Sequence, residues 1–112
     1  MAVYVSNLTV DTGTTFSQVF TLEAASTNSP TDLTGYSISA QMRKHAGSTS
    51  ATNFTTNIVN ASQGKIRVGL TTSETTSLKA GRFMYDVLIT DSSGEVTRVV
   101  EGSVLVREGV TR

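Results

Sequence analysis

Residues 78–107 alternate with a two-residue period on both sides of a polar break, and that pattern fixes the class of the whole chain. Phe83, Tyr85, Val87 and Ile89 alternate with polar or less apolar neighbours; Asp91, Ser92, Ser93 and Gly94 interrupt them; Val96, Val100, Val104 and Val106 resume the pattern. Two such runs around an Asp/Ser/Gly cluster are the signature of a β-hairpin with one buried face. An antiparallel β protein follows, and no residue of the hairpin is placed for chemistry.

The rest of the chain agrees. Val3, Val5, Leu8 and Val10 suggest a first edge strand, with a break in its middle, and Asp11 to Thr14 form a turn. Phe16, Gln18, Phe20 and Leu22 share one face of a second strand, with Ser17, Val19 and Thr21 on the other. Asn28, Ser29, Pro30 and Asp32 mark residues 24–34 as a loop. Tyr36, Ile38, Ala40 and Met42 form the apolar face of a third strand, and the Gly/Ser-rich residues 46–52 read as a mobile loop tip. Phe54, Thr56 and Ile58 give a weaker fourth strand; residues 60–64 turn; Ile66, Val68 and Leu70 form a fifth. Thr71 followed by Glu74 matches a capping box, which predicts one or two helical turns over residues 72–78, closed by Gly81, with Leu78 tucked beneath the sheet. About seven short strands with turns every 8–12 residues point to a single domain, an all-β immunoglobulin-like antiparallel sandwich with one short helical turn. A small closed barrel is the alternative.

Composition limits what such a domain can do. A chain of 112 residues buries roughly two thirds of its unfolded surface, so an ordinary core suffices. There is no cysteine, hence neither a disulfide framework nor a thiolate metal site. Nine basic residues balance nine acidic ones, without the basic stripe that gains from counterion release on nucleic acid; Arg43, Lys44 and His45 read as a solvated strand end. No basic region followed by a long apolar stretch opens the chain, and nothing approaches the roughly 20 apolar residues of a membrane helix, so neither export nor membrane insertion is expected. Threonine and serine dominate the polar fraction, which suits the half-exposed faces of strands and argues against disorder.

Each candidate for chemistry has a plainer reading. His45, the only histidine, stands beside Gly47 with nothing to hold it against a nucleophilic serine, so an exposed loop residue is expected. Asp91 to Glu95 offers oxygen atoms, but with Asp first and Gly last it has the spacing of a turn rather than of a calcium loop. Asp11 and Asp32 sit at turn entrances in the same way. Asn7, Asn53 and Asn60 head glycosylation-type triplets that arise by chance in a chain this rich in Asn, Ser and Thr. The glycines fall at turns and form no phosphate cradle. No enzyme, cofactor or metal is expected.

Two features of the last hairpin remain. Arg98 falls in phase with its buried valines, so either a bulge or edge position returns it to water, which is favoured, or its stem is buried and its head snorkels. The opposite phase carries Met84, Leu88, Val99 and Leu105. If that face is outward, it presents an apolar patch of the kind that marks contact with a partner; the alternative is that loops or the N-terminal strand cover it.

Two blocks add a resemblance. Asp32-Leu33-Thr34-Gly35-Tyr36 with the strand through Arg43 and Lys44 resembles a motif of immunoglobulin-like domains in tailed-phage structural proteins, with the N-terminal domain of the baseplate upper protein the nearest family. The second block is a glycine-led strand (Gly64 to Leu70), Leu78, a glycine-aromatic strand entry (Gly81 to Val87) and a polar hairpin (Asp91 to Gly94). It matches the order in those domains, and small proteins of T4-like marine phages look similar through Val106, Arg107, Glu108, Gly109 and Val110 to Arg112. Lys79, Phe83 and Tyr85 stand where the broader immunoglobulin pattern has Asp, the corner Tyr and Cys, so the corner hydrogen bond and the disulfide are both missing. The resemblance implies a virion structural protein, made in the host cytoplasm, that docks on capsid, neck, tail or baseplate by protein–protein contacts. Its partners would be other virion proteins, or symmetric copies of itself. Edges over residues 3–10 or 99–106 are candidates for strand addition. A carbohydrate- or cell-surface-binding module is the alternative, with Tyr4 the one aromatic residue open to the outside.

Overall fold

A computed structural model describes residues 4–22, 33–45, 47–49 and 51–110. Two sheets face each other. The first contains β1 (Tyr4–Val5), β2 (Leu8–Asp11), β4 (Ser37–Arg43), β5 (Thr52–Asn53), β8 (Gly81–Thr90) and β9 (Val96–Arg107), in the order β1-β9-β8-β4-β5 with β2 also on β9. The second is β3 (Phe16–Thr21), β7 (Lys65–Leu70) and β6 (Thr55–Asn60), in the order β3-β7-β6. One helix, α1 (Thr72–Thr76), joins β7 to β8. This is the immunoglobulin-like strand order, with β3-β7-β6 as one sheet and β4-β8-β9 as the heart of the other. Its strand directions differ from the sequence expectation along one edge. β1 and β2 run parallel to β9, so the sandwich is antiparallel everywhere except along its N-terminal edge.

Alternation places the core between the sheets. Ala40 and Met42 on β4, Ile66, Val68 and Leu70 on β7, Tyr85, Val87 and Ile89 on β8, and Val100, Val104 and Val106 on β9 are all buried. Fully burying a side chain of this size is worth about 1.5–3 kcal/mol, and two facing rows of them supply the folding drive. Leu33 seals one side: its amide donates to the Ala61 carbonyl at 2.8 Å, and the turn to Tyr36 passes through Gly35 at φ +82°. The chain changes sheets at Phe54, whose amide donates to Ala40 O at 3.0 Å before β6 joins β7. Its ring lies 6.2 Å from Phe16 and 6.1 Å from Tyr85, edge-on to the latter.

Both arms of the predicted capping box are formed: Thr71 Oγ1 accepts from the Glu74 amide at 3.2 Å, and the Glu74 carboxylate accepts from the Thr71 amide at 2.8 Å. The stop signal is different from that expected. Ser77 ends the helix, while Gly81, at φ +142°, opens β8 rather than capping α1. Leu78 packs against the core as anticipated. Of the N-terminal loop expected over residues 24–34, only Leu33 and Thr34 lie within the described residues; Ala46 and Ser50 of the second loop lie outside them too.

Candidate functional site

The outward face of β4, β8 and β9 is built by register. Arg43 lies opposite Met84 and Met84 opposite Ser103; Gln41 faces Asp86 and Asp86 faces Glu101; Ser39 faces Leu88 and Leu88 faces Arg98. Leu105 sits between Arg82 on β8 and Thr9 on β2. Arg43, Met84, Leu88, Arg98 and Glu101 contribute to the rim of a shallow depression of about 370 Å³.

A bulge decides which residues reach this face. Val87 pairs with Val100 but Leu88 pairs with Arg98, leaving Val99 as the extra residue of β9. Before the bulge the even-numbered residues face water, and after it they face the core. Arg98 is therefore exposed, as the favoured reading had it, and its Nε lies 3.2 Å from Asp86 Oδ2. Val96 is outward and 56% exposed, not buried with the later valines. Val99 is corrected in the other direction: expected on the partner surface, it is 0% exposed and belongs to the core.

The surviving candidates are unequal. Met84 is 54% exposed, Leu105 is 38% exposed, and Leu88 is half-buried. Diagonal neighbours across an antiparallel pair lie about 7–8 Å apart, so Met84 and Leu105 form one apolar contact area. Leu88 lies four residues along the strand, about 13 Å from Met84, with Asp86 between them. Asp86 and Glu101 are directly opposite, a repulsive arrangement that Arg98 offsets through its ion pair with Asp86. Both partners of that pair are well exposed, so its net worth is about 0–1 kcal/mol and it orders the face more than it stabilises the fold. Gln41 Nε2 donates to Asn53 Oδ1, and Arg43 donates to Gln41 Oε1 and the Ser48 carbonyl, fixing the β4 side of the depression. A small apolar centre held in a grid of oriented charges and amides suits a protein surface.

Asp91, Asp11 and the three asparagines serve the fold. Asp91 Oδ1 accepts from the amides of Ser93 and Glu95, each at 2.9 Å, and from Ser93 Oγ at 2.7 Å, with Gly94 at φ +93°, so the turn reading holds. The Ser93 hydroxyl first, and these amides with it, hold the Asp91 carboxyl below the usual carboxylate range. Asp11 accepts from Arg107 Nε at 2.7 Å and Nη2 at 3.2 Å, and Arg107 lowers its pKa likewise. His45 is exposed. The amide oxygens of Asn7, Asn53 and Asn60 accept from Ser103, Gln41 and Ser62 respectively. Among the described residues, no three His, Cys, Asp or Glu side chains converge as a metal site would require. Asp32 and the Tyr4 side chain lie outside the described residues. Among the described residues, no helix is long and apolar enough to cross a membrane.

Two features escaped sequence reasoning. An open groove of about 860 Å³ lies where the β2–β3 turn, α1 and the segment after β9 meet, lined by Thr12, Thr72, Leu78, Lys79 and Glu108 among others. Its walls come from three distant stretches, and no local pattern announces it. The second is the clamp on the N-terminal edge. Tyr85 Oη donates to the Ser6 carbonyl at 2.6 Å, between β1 and β2, and burial raises its pKa. Gly102 lets Ser6 approach, because a Cβ there would stand 2.1 Å from the Ser6 oxygen. Tyr85 thus occupies the core of the strand where the broader immunoglobulin pattern has its cysteine, and it ties down the first strand by a hydrogen bond.

No protein-family model matches the chain, and no curated protein does. Among solved structures it is similar to the Listeria monocytogenes internalin-like protein lmo2027, with a TM-score of 0.49 and 12% sequence identity over 94% of this chain. The chain spans 28% of the length of that structure's chain.

Proposed function

We propose that the chain is a structural protein of a tailed-phage virion that docks on a neighbouring virion protein through the outward face of β4, β8 and β9. The observation that carries the docking reading is the exposed pair Met84 and Leu105 beside the Asp86–Arg98 ion pair, on a sheet whose other face is core. The resemblance of the blocks 32–44 and 64–94 to tailed-phage immunoglobulin-like domains supports the virion setting. A rigid sheet presents these side chains in fixed positions, so little ordering entropy is lost on contact.

Two substitutions test the surface. Met84→Lys and Leu105→Lys place a charge at the centre of the contact while leaving the buried face untouched. Each is expected to weaken docking at least tenfold, about 1.4 kcal/mol, with the unfolding midpoint nearly unchanged. Unaltered incorporation of both variants into particles would refute the assignment of this face.

A further inference from the structure

With β1 and β2 on β9, β3 has one open edge among the described residues. Among the described residues, β3 pairs with β7 alone. The Leu22 amide donates to Gly64 O at 2.8 Å, so the even-numbered residues of this stretch bond toward β7. By alternation, the amides and carbonyls of Ser17, Val19 and Thr21 point to the free side. Their side chains point to water, with Val19 42% exposed, while Phe16 and Phe20 pack against the core.

The other edges carry the devices that block strand addition, and β3 carries none. β5 has two residues. β6 has a register shift between Ile58 and Asn60. The β1–β2 edge breaks at Ser6 and Asn7. β9, anticipated as an edge over residues 99–106, is paired on both sides. In contrast, β3 keeps unbroken register with β7 from Phe16 to Thr21, with no proline, glycine, charge or bulge. Natural edge strands usually carry at least one of these protections.

We propose that β3 is a homotypic interface, pairing antiparallel with β3 of a second copy about a two-fold axis through Val19. The edge is complementary to itself: Val19 meets Val19 of the other copy, and Ser17 meets Thr21 in both directions. These are the residues whose main-chain groups are free, so the three pairs form about six hydrogen bonds and join two three-stranded sheets into one. Gln18 Nε2, which donates to the Val19 carbonyl at 3.1 Å, yields that acceptor to the incoming amide. Charge does not oppose the pairing. The nearest cation in register is Arg67, opposite Val19 on β7, and its counterpart lies three strand spacings away, about 14 Å, beyond the screening length at physiological salt. The outward face of the other sheet stays free for the docking proposed above.

Sedimentation equilibrium of the full chain from micromolar to millimolar concentration tests this. A reversible dimer is expected, with slowed exchange of the Ser17, Val19 and Thr21 amides. Val19→Lys sets two charges face to face across the axis and is expected to weaken dimerisation at least tenfold, while Val59→Lys on the bulged β6 edge leaves it intact. Val19 is exposed, so the variant's native circular dichroism separates loss of pairing from loss of fold, and Thr21→Lys repeats the test if Val19→Lys misfolds. A wild-type chain that stays monomeric throughout, or a folded Val19→Lys dimer of unchanged affinity, overturns the proposal.

Discussion

Replacing Gly102 by alanine tests how the first strand is held. The added Cβ would lie 2.1 Å from the Ser6 carbonyl oxygen, 2.8 Å from its carbon and 3.2 Å from Asn7 Oδ1. Two of these neighbours are backbone atoms, so relief requires moving the Ser6–Asn7 segment by about 1 Å in a close-packed edge. That displacement lengthens the Tyr85–Ser6 bond from 2.6 Å beyond hydrogen-bonding range. It also strains the Ser6 amide bond to Glu101 O at 2.9 Å and the Asn7 contacts with Ser103 at 3.1 Å. At about 1 kcal/mol net per hydrogen bond, the loss is about 2–4 kcal/mol. Tyr85→Phe alone removes one buried bond and should cost about 1–2 kcal/mol. Because Gly102→Ala already breaks that bond, the double variant should be little worse than Gly102→Ala, with a coupling of about 1 kcal/mol. Urea unfolding monitored by circular dichroism reads all three; with a slope of about 1–3 kcal/mol/M, the midpoint shift is easily measured. A Gly102→Ala cost below about 0.5 kcal/mol, or effects that add within about 0.3 kcal/mol, would refute the clamp.

Three further outcomes follow from the same geometry. Burial raises the Tyr85 pKa, so the unfolded chain loses this proton first; its contribution is intact below about pH 10 and is lost as pH rises through the folded value. Wild type should therefore lose alkaline stability more steeply than Tyr85→Phe, and parallel curves would contradict the burial argument. The Asp91 pKa is lowered, so the stability it lends is present above about pH 4 and disappears as pH falls through the folded value. The Ser93 and Glu95 amide signals should move together with that titration, and Asp91→Ala should abolish the movement. Thr75 is 0% exposed, and its hydroxyl donates to Thr14 O at 2.7 Å, tying α1 to the β2–β3 turn. Thr75→Val keeps the shape and should cost about 1–2 kcal/mol in urea unfolding.

Alternation made most of the fold legible. The facing rows on β3, β4, β7 and β8 were readable residue by residue because each strand has one buried face, and the capping box of α1 and the Asp91 turn are written in local chemistry. The last strand resisted because the bulge at Val99 switches the phase midway. Arg98, a charge in a valine phase, was the one sign of it, and following that sign to its end would have moved Val99 inward and Val96 outward. Parallel docking of β1 and β2 was illegible for another reason: it depends on Tyr85, 79 residues from Ser6, on the still more distant Gly102, and on no local turn. The proposed contact surfaces were half visible. Met84 and Leu105 follow from alternation alone, whereas the open β3 edge exists only because the first strand went to the other sheet.

Docking in a virion through the outward face of β4, β8 and β9 is the function proposed for the chain. The most direct test is to purify virus particles from the source of the chain on a gradient and to quantify wild-type and Leu105→Lys chains in them by mass spectrometry, against the major capsid protein. Wild type is expected at a fixed ratio to the capsid protein, with a folded variant largely missing from particles. Wild type absent from particles, or both chains present at the same ratio, would contradict it.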